Sequence, residues 1–223
     1  MKIVLSLSGG MDSGTMLGYY LAKGHEVCPV NFSYGSKHNK YERTCAIHFC
    51  DYYGIDVFPT IDLNFIEYMF ESDLLKSGGD IPEGHYEDEN MKTTVVPGRN
   101  LIFASILAGY AESIDATHIA LGVHAGDHHI YSDCRPEFIE SLKTTINKSS
   151  DGKVGVLAPF LNIDKTQILK IGCELPEEFV VPYQLTRTCY KDQELSCGRC
   201  GSCNERLEAF ASLGKVDPIK YQK

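Results

Sequence analysis

Residues 2–24 read KIVLSLSGGMDSGTMLGYYLAKG, and this stretch decides the fold. Residues 3–7 form a compact apolar run, the pattern of a strand covered on both faces. Residues 13–23 carry Met16, Leu17, Tyr20 and Leu21 at helical spacing and stop at Gly24. Between them, Ser8-Gly9-Gly10-Met11-Asp12-Ser13 joins strand to helix without a spacer. Two glycines let the backbone turn sharply and approach an anion without a Cβ in the way. Free N–H groups and the helix dipole at such a start attract phosphate, and Ser8 and Ser13 add hydroxyl donors. Asp12 would repel a bare phosphate, so its place there fits a carboxylate that holds Mg²⁺ or caps the helix. A tight turn with no ligand would need only the glycines. The loop lacks the GK[ST] of a Walker P-loop and the G-x-G-x-x-G of a dinucleotide site.

Outward from this unit the same alternation continues. Strands are expected over residues 26–32, 55–61, 117–123 and 154–158, and helices over 39–53, 101–113, 136–146 and 165–172. Strand and helix in turn mean βαβ units, so the fold class is α/β, an open parallel sheet with helices on both faces. Residues 72–93 are long, polar and Gly/Pro-bearing, and read as a flexible lid over the site. We divide the chain into an α/β domain that carries the phosphate-binding loop, residues 1–180, and a small C-terminal segment, residues 181–223, packed on the same domain.

The 223 residues are 43% hydrophobic and 23% charged, enough for a full core. A net charge of −9 argues against broad binding of nucleic acid or anionic membrane. The longest apolar run, residues 101–110, is too short to span a membrane, and residues 3–7 are too short for a secretory signal, so a cytoplasmic protein is expected. Nine cysteines without such a signal do not form a disulfide framework. Four of them cluster as Cys189, Cys197, Cys200 and Cys203, with the spacing C-x7-C-x2-C-x2-C. A C-x2-C pair aims both sulfurs at one point, with Gly198 and Gly201 supplying the turns. Four thiolates and no vacant position suit structural zinc; an iron–sulfur cluster is the second reading.

Other candidate residues follow from the rule that open α/β sheets bind ligands beyond the carboxyl ends of their strands. Tyr34, Lys37 and His38 follow the second strand, with Tyr34 near a base and Lys37 or His38 near phosphate. Asp127, Tyr131, Asp133 and Arg135 follow the fourth and suit a polar heterocycle, with Asp accepting from ring N–H groups. His128 and His129 are adjacent and point apart, a poor metal pair. Arg99, in Val96-Pro97-Gly98-Arg99-Asn100, opens the buried helix with a fork suited to phosphate or carboxylate.

The glycine loop resembles the SGGxDS motif of the PP-loop ATP pyrophosphatases. With YGSKHNKYE, VPGRN, residues 127–138, Ile163-Asp164-Lys165, and TCY followed by CGRCGSC, the chain resembles the 7-cyano-7-deazaguanine synthase (QueC) family over most of its length. The resemblance implies an adenine nucleotide alpha hydrolase-like fold. It makes Ser8, Gly9, Gly10, Met11, Asp12, Ser13, Gly14, Thr15, Met16, Leu17 and Gly18 the ATP-binding segment. Asp12, Arg99 and Asp133 are the expected catalytic residues, ATP, Mg²⁺ and Zn²⁺ the cofactors, and Cys189, Cys197, Cys200 and Cys203 the zinc ligands. It further implies a homodimer that uses 7-carboxy-7-deazaguanine and ammonia, with no nucleic-acid partner. Adenylation of the carboxylate, displacement of AMP by ammonia and a second adenylation of the amide would give the nitrile. The family's Gly-Tyr-Pro-Asp-Cys-Arg here reads Ile130-Tyr131-Ser132-Asp133-Cys134-Arg135, which bears on substrate and end product. A variant that stops at the amide and serves DNA modification, a tRNA sulfurtransferase of the same superfamily, and a nucleotide-sensing module are the alternatives.

Overall fold

The computed structural model describes residues 1–222. Its sheet has five parallel strands in the order β3-β2-β1-β4-β5. They are β1 Lys2–Ser6, β2 Glu26–Ser33, β3 Thr60–Asp62, β4 His118–Ala120 and β5 Gly155–Leu157. β1 takes the centre because Ile3, Val4 and Leu5 are fully buried, so both of its faces need cover. The chain order reverses between β1 and β4, which opens a crevice at their carboxyl ends.

Seven helices cover the sheet: α1 Met11–Ala22, α2 Asn39–Tyr53, α3 Ile66–Met69, α4 Arg99–Ser113, α5 Pro136–Ser149, α6 Lys165–Cys173 and α7 Gly201–Ser212. Ile3 and Leu5 pack with Met16, Leu17, Phe49, Ile168 and Phe210, from α1, α2, α6 and α7. Val4 points the other way and packs with Ala104, Leu107, Ile139 and Leu142, from α4 and α5. The alternation of neighbouring β1 side chains therefore builds two cores. α6 starts cleanly because Asp164 and Gln167 form a reciprocal capping box.

Expectations change in several places: the fourth strand spans only His118–Ala120 rather than residues 117–123, and two further differences bear on the site. The third strand spans only Thr60–Asp62, not residues 55–61. It pairs with the last residues of β2, Asn31–Ser33, and Val57 before it stays 69% exposed. Residues 72–93 are no flexible lid. They form a strap whose Leu74, Leu75, Ile81, Tyr86 and Met91 are buried in the core, because the few apolar residues of this polar stretch all point inward. Helix α7, beyond the cysteines, had no expectation at all. Among the described residues, no helix is long and apolar enough to cross a membrane.

Candidate active site

A cavity opens where the carboxyl ends of β1, β2 and β4 meet the start of α1. One end is polar. Ser8, Gly10, Met11, Asp12 and Ser13 line it. Gly9 has φ +85°, and a Cβ there would lie 2.3 Å from the Glu42 carbonyl oxygen, so glycine alone fits. Its own carbonyl accepts from the Arg187 backbone N–H at 2.9 Å, tying the loop to the C-terminal segment. The Ser8 and Ser13 hydroxyls lie 3.0 Å apart, and Ser8 Oγ accepts from Gly10 N–H at 3.2 Å.

Asp12 stands at the centre of an ionic cluster. Lys165 Nζ, from the first residue of α6, donates to Asp12 Oδ2 at 2.8 Å and lies 3.1 Å from Glu205 Oε2 on α7. His124 Nδ1 accepts from Gly126 N–H, which assigns the ring proton to Nε2. That nitrogen faces Asp127 at 3.5 Å, Asp12 at 3.8 Å and Glu205 at 3.9 Å. Burial alone would raise the Asp12 carboxyl, but the charge and hydrogen bond of Lys165 lead the effects that outweigh it and hold it below the usual carboxylate range. Burial pushes Glu205 up, with Lys165 and His124 only partly offsetting it. On Lys165 desolvation opposes the charge, and the charges of Asp12, Glu205 and Asp127 reverse that. Asp12 Oδ1 is buried and has no partner within the protein. An orphaned carboxylate oxygen beside an anion-binding loop fits a Mg²⁺ ligand.

The other end is aromatic. Phe32 stacks on Phe103 at 4.0 Å, and Tyr34, Tyr86, Tyr131 and Tyr190 complete the wall. Tyr86 Oη donates to Asp127 Oδ1 at 2.8 Å, and Tyr131 Oη lies 3.0 Å from Thr94 Oγ1. Arg99 stands over the Tyr34 ring at 5.9 Å. Flat faces with a few fixed polar groups suit a planar heterocycle.

The cavity thus gathers Tyr34, His38, Arg99, Asp127 and Tyr131 with the glycine loop. Other expected residues are engaged elsewhere. Lys37 Nζ donates to the carbonyls of Asp73 (2.8 Å), Gly78 (3.2 Å) and Leu75, holding the strap rather than a phosphate. Asp133 Oδ2 accepts from Asn100 N–H at 2.9 Å and so caps α4. Arg135 Nε donates to the His128 carbonyl at 2.9 Å. The helical half of the glycine segment faces inward too: Thr15 bonds Tyr183 Oη at 2.8 Å, Met16 and Leu17 are core, and Gly14 and Gly18 make room for Phe49 and Tyr53. Cys134 does line the cavity, but burial pushes its thiol well up, which removes a nucleophile.

Several lining residues were missed. Lys165 and His124 follow the ends of β5 and β4, so the carboxyl-end rule could have found both. Tyr86, Arg187, Tyr190 and Ser202, with Glu205 just behind the wall, lie outside the sheet's own loops, where the carboxyl-end rule does not reach.

Beside the cavity, the sulfurs of Cys189, Cys197, Cys200 and Cys203 all lie within 4.8 Å of one another, and all four residues are buried. Cys197 Sγ accepts N–H groups from Arg199 (3.4 Å) and Cys200 (3.3 Å) across the turn at Gly198, whose φ is +70°. Hydrogen bonds from the other three cysteines pull the Cys197 thiol far below its ordinary range. The four sulfurs together could hold a metal. Tetrahedral bonds of roughly 2.3 Å give sulfur–sulfur edges of about 3.8 Å, and Cys197 and Cys203 are 3.9 Å apart.

The fold and the glycine loop define the class, the PP-loop ATP pyrophosphatases. Residues 2–214 match the family model described as queuosine biosynthesis protein QueC. The 7-cyano-7-deazaguanine synthase of Marinomonas sp. is 44% identical over 221 residues, covering 99% of this chain and 98% of the relative. The synthase of Caldicellulosiruptor saccharolyticus is 44% identical over 222 residues, covering 100% and 96%. The chain belongs to the QueC family. Among solved structures, the U34-tRNA thiolase NcsA from Methanococcus maripaludis, which carries a [4Fe-4S] cluster, is similar in fold. Its TM-score is 0.51 at 18% identity, covering 96% of this chain and 66% of that one.

Proposed function

We propose that the chain is an ATP-dependent carbon–nitrogen ligase that converts 7-carboxy-7-deazaguanine and ammonia to 7-cyano-7-deazaguanine. The observation that carries this reading is one cavity with two ends: an anion-binding loop beside an unpartnered Asp12 oxygen, and an aromatic wall with Asp127. The substrate carboxylate attacks the α-phosphorus of ATP and pyrophosphate leaves. Ammonia attacks the acyl carbon, AMP leaves, and a proton is lost to give the amide. The amide oxygen then attacks the α-phosphorus of a second ATP, pyrophosphate leaves again, and loss of the two remaining N–H protons with AMP gives the nitrile.

The chain's own residues position the reactants and stabilise charge; no side-chain nucleophile is needed. Helix α1 and the Ser8 and Ser13 hydroxyls hold the pyrophosphate. Lys165 carries a buried positive charge beside it. Asp12 holds Mg²⁺, which neutralises phosphate charge when bound. Asp127 accepts from the ring N–H groups, and Arg99 serves the carboxylate end of the base. Asp133 acts by fixing the start of α4, next to Arg99.

The four-cysteine site holds zinc. Its sulfurs are spaced for one ion, whereas a four-iron cluster binds each cysteine at a separate corner and holds them farther apart. We further propose a homodimer in the cytoplasm with no nucleic-acid partner. The net charge of −9 supports the last point. Phe65, Tyr68 and Met69, 50%, 83% and 71% exposed near α3, offer an apolar surface for a second copy.

The test is an incubation with 7-carboxy-7-deazaguanine, Mg-ATP and ammonium, with mass spectrometry of base and nucleotide products. Nitrile with AMP is expected. Amide with AMP and no nitrile would move the end product, and no AMP would overturn the ligase.

A further inference from the structure

Glu205 is an unusual residue to bury in an ATP-binding cluster that already holds Asp12 and Asp127. Its side chain is 14% exposed and reaches Lys165, at the cavity wall, from α7, whose N-cap is Cys200 and whose first turn contains Cys203. A carboxylate here repels the other two and would repel a nucleotide. Such a charge persists only where a partner is fixed against it. That partner is Lys165, whose Nζ donates to Asp12 Oδ2 at 2.8 Å and stands 3.1 Å from Glu205 Oε2 as an ion pair without a hydrogen bond. Space for the carboxylate is built in on the opposite side: a Cβ on Gly126 would lie 2.7 Å from Glu205 Oε1.

The sharing has a consequence for Asp12. Lys165 with Asp12 as sole partner would swing fully onto it, tying up the carboxylate in a closed ion pair. Drawn also toward Glu205, it contacts one Asp12 oxygen and leaves the other, Oδ1, without a protein partner. We propose that Glu205 is a positioning residue for the ATP reaction: it sets Lys165 between two carboxylates, so that the ammonium faces the phosphate loop and Asp12 Oδ1 stays open. Helix α7 and the cysteine turn thereby form a wall of the phosphate end, and the four-cysteine site is joined to catalysis through one side chain. This rests on the ATP-dependent reading above.

Two measurements test it. In nucleotide-free protein, labelling of Lys165 by an amine acylating reagent, followed by peptide mass spectrometry, should be several-fold slower in Glu205→Gln than in the wild type, because the amine then closes onto Asp12. Calorimetric titration with Mg-ATP should show roughly tenfold weaker binding in Glu205→Gln, the effect of about one charge-assisted hydrogen bond. Part of that affinity should return in Glu205→Asp, and elemental analysis should find the bound metal unchanged. In a Lys165→Met background, Glu205→Gln should add no further loss. Unchanged labelling, unchanged affinity, an equal loss in both backgrounds, or loss of metal from Glu205→Gln would each overturn the role. A wild-type chain that binds no Mg-ATP would instead overturn the nucleotide reading, while the labelling still reports on Glu205.

Discussion

Asp12 and Lys165 make the clearest pair at the scale of single residues. Asp12 could be singled out from sequence because an acid in a phosphate loop contradicts the loop's electrostatics unless a cation follows. Lys165 was open to the carboxyl-end rule, but its role was not: only the fold brings it within 2.8 Å of a residue 153 positions away. Lys37 shows the reverse. It sits in a plausible loop, yet three backbone carbonyls consume its ammonium. Asp12→Asn should keep the fold and lower AMP formation by a hundredfold or more, on the order of losing a main electrostatic contact. A product assay beside a circular dichroism spectrum checks both halves, and AMP formation near the wild-type rate would remove Asp12 from the chemistry. Lys165→Met should reduce turnover by roughly the same factor, because the buried Asp12 and Glu205 charges are then left facing each other without a cation.

Elements were legible wherever their period was strong. β1, α1, β2 and α2 could be placed within a few residues because their apolar runs, glycine stops and loops all agree. β3 was overextended because its edge position is set by β2's register, not by its own residues. The strap is hard to read because a polar composition conceals five inward-facing apolar side chains, and no local period marks them. At this scale, Gly14→Ala should destabilise the fold by about 1–3 kcal/mol through overpacking, since its Cβ would lie 2.3 Å from the Phe49 ring. Chemical denaturation at an unchanged slope is the measurement. Cys200→Ser should lose the bound metal and much of the stability together, because a closed four-thiolate site contributes folding free energy. Elemental analysis with thermal melting reads both, and full retention of stability and activity would count against a structural ion.

At the scale of the whole molecule, the cysteine segment is not an appendage. Val181, Tyr183, Ala209 and Phe210 belong to the same core as Ile3 and Leu5, and the four cysteines lie in the core on the other face of the sheet. We therefore propose that residues 1–180 and 181–223, though distinct in sequence, unfold together. Calorimetry should show one transition, and strong chelation should lower its midpoint by about 10 °C or more, if a few kcal/mol are lost. Two separated transitions would show that the segment folds on its own.

The cavity's walls run from Ser6 to Ser202, with Glu205 just behind. Tyr190, Ser202 and Glu205 are each within two positions of a metal-binding cysteine. If the four cysteines hold an ion, a chain that has not acquired it would leave two wall residues, and Glu205 behind them, loosely placed, and the catalytic chamber would stay incomplete. Under metal scarcity the cell would then hold a dormant protein, rather than one that wastes ATP by idle hydrolysis. Metal loading would act as a final quality check on the newly made enzyme before it can spend a nucleotide.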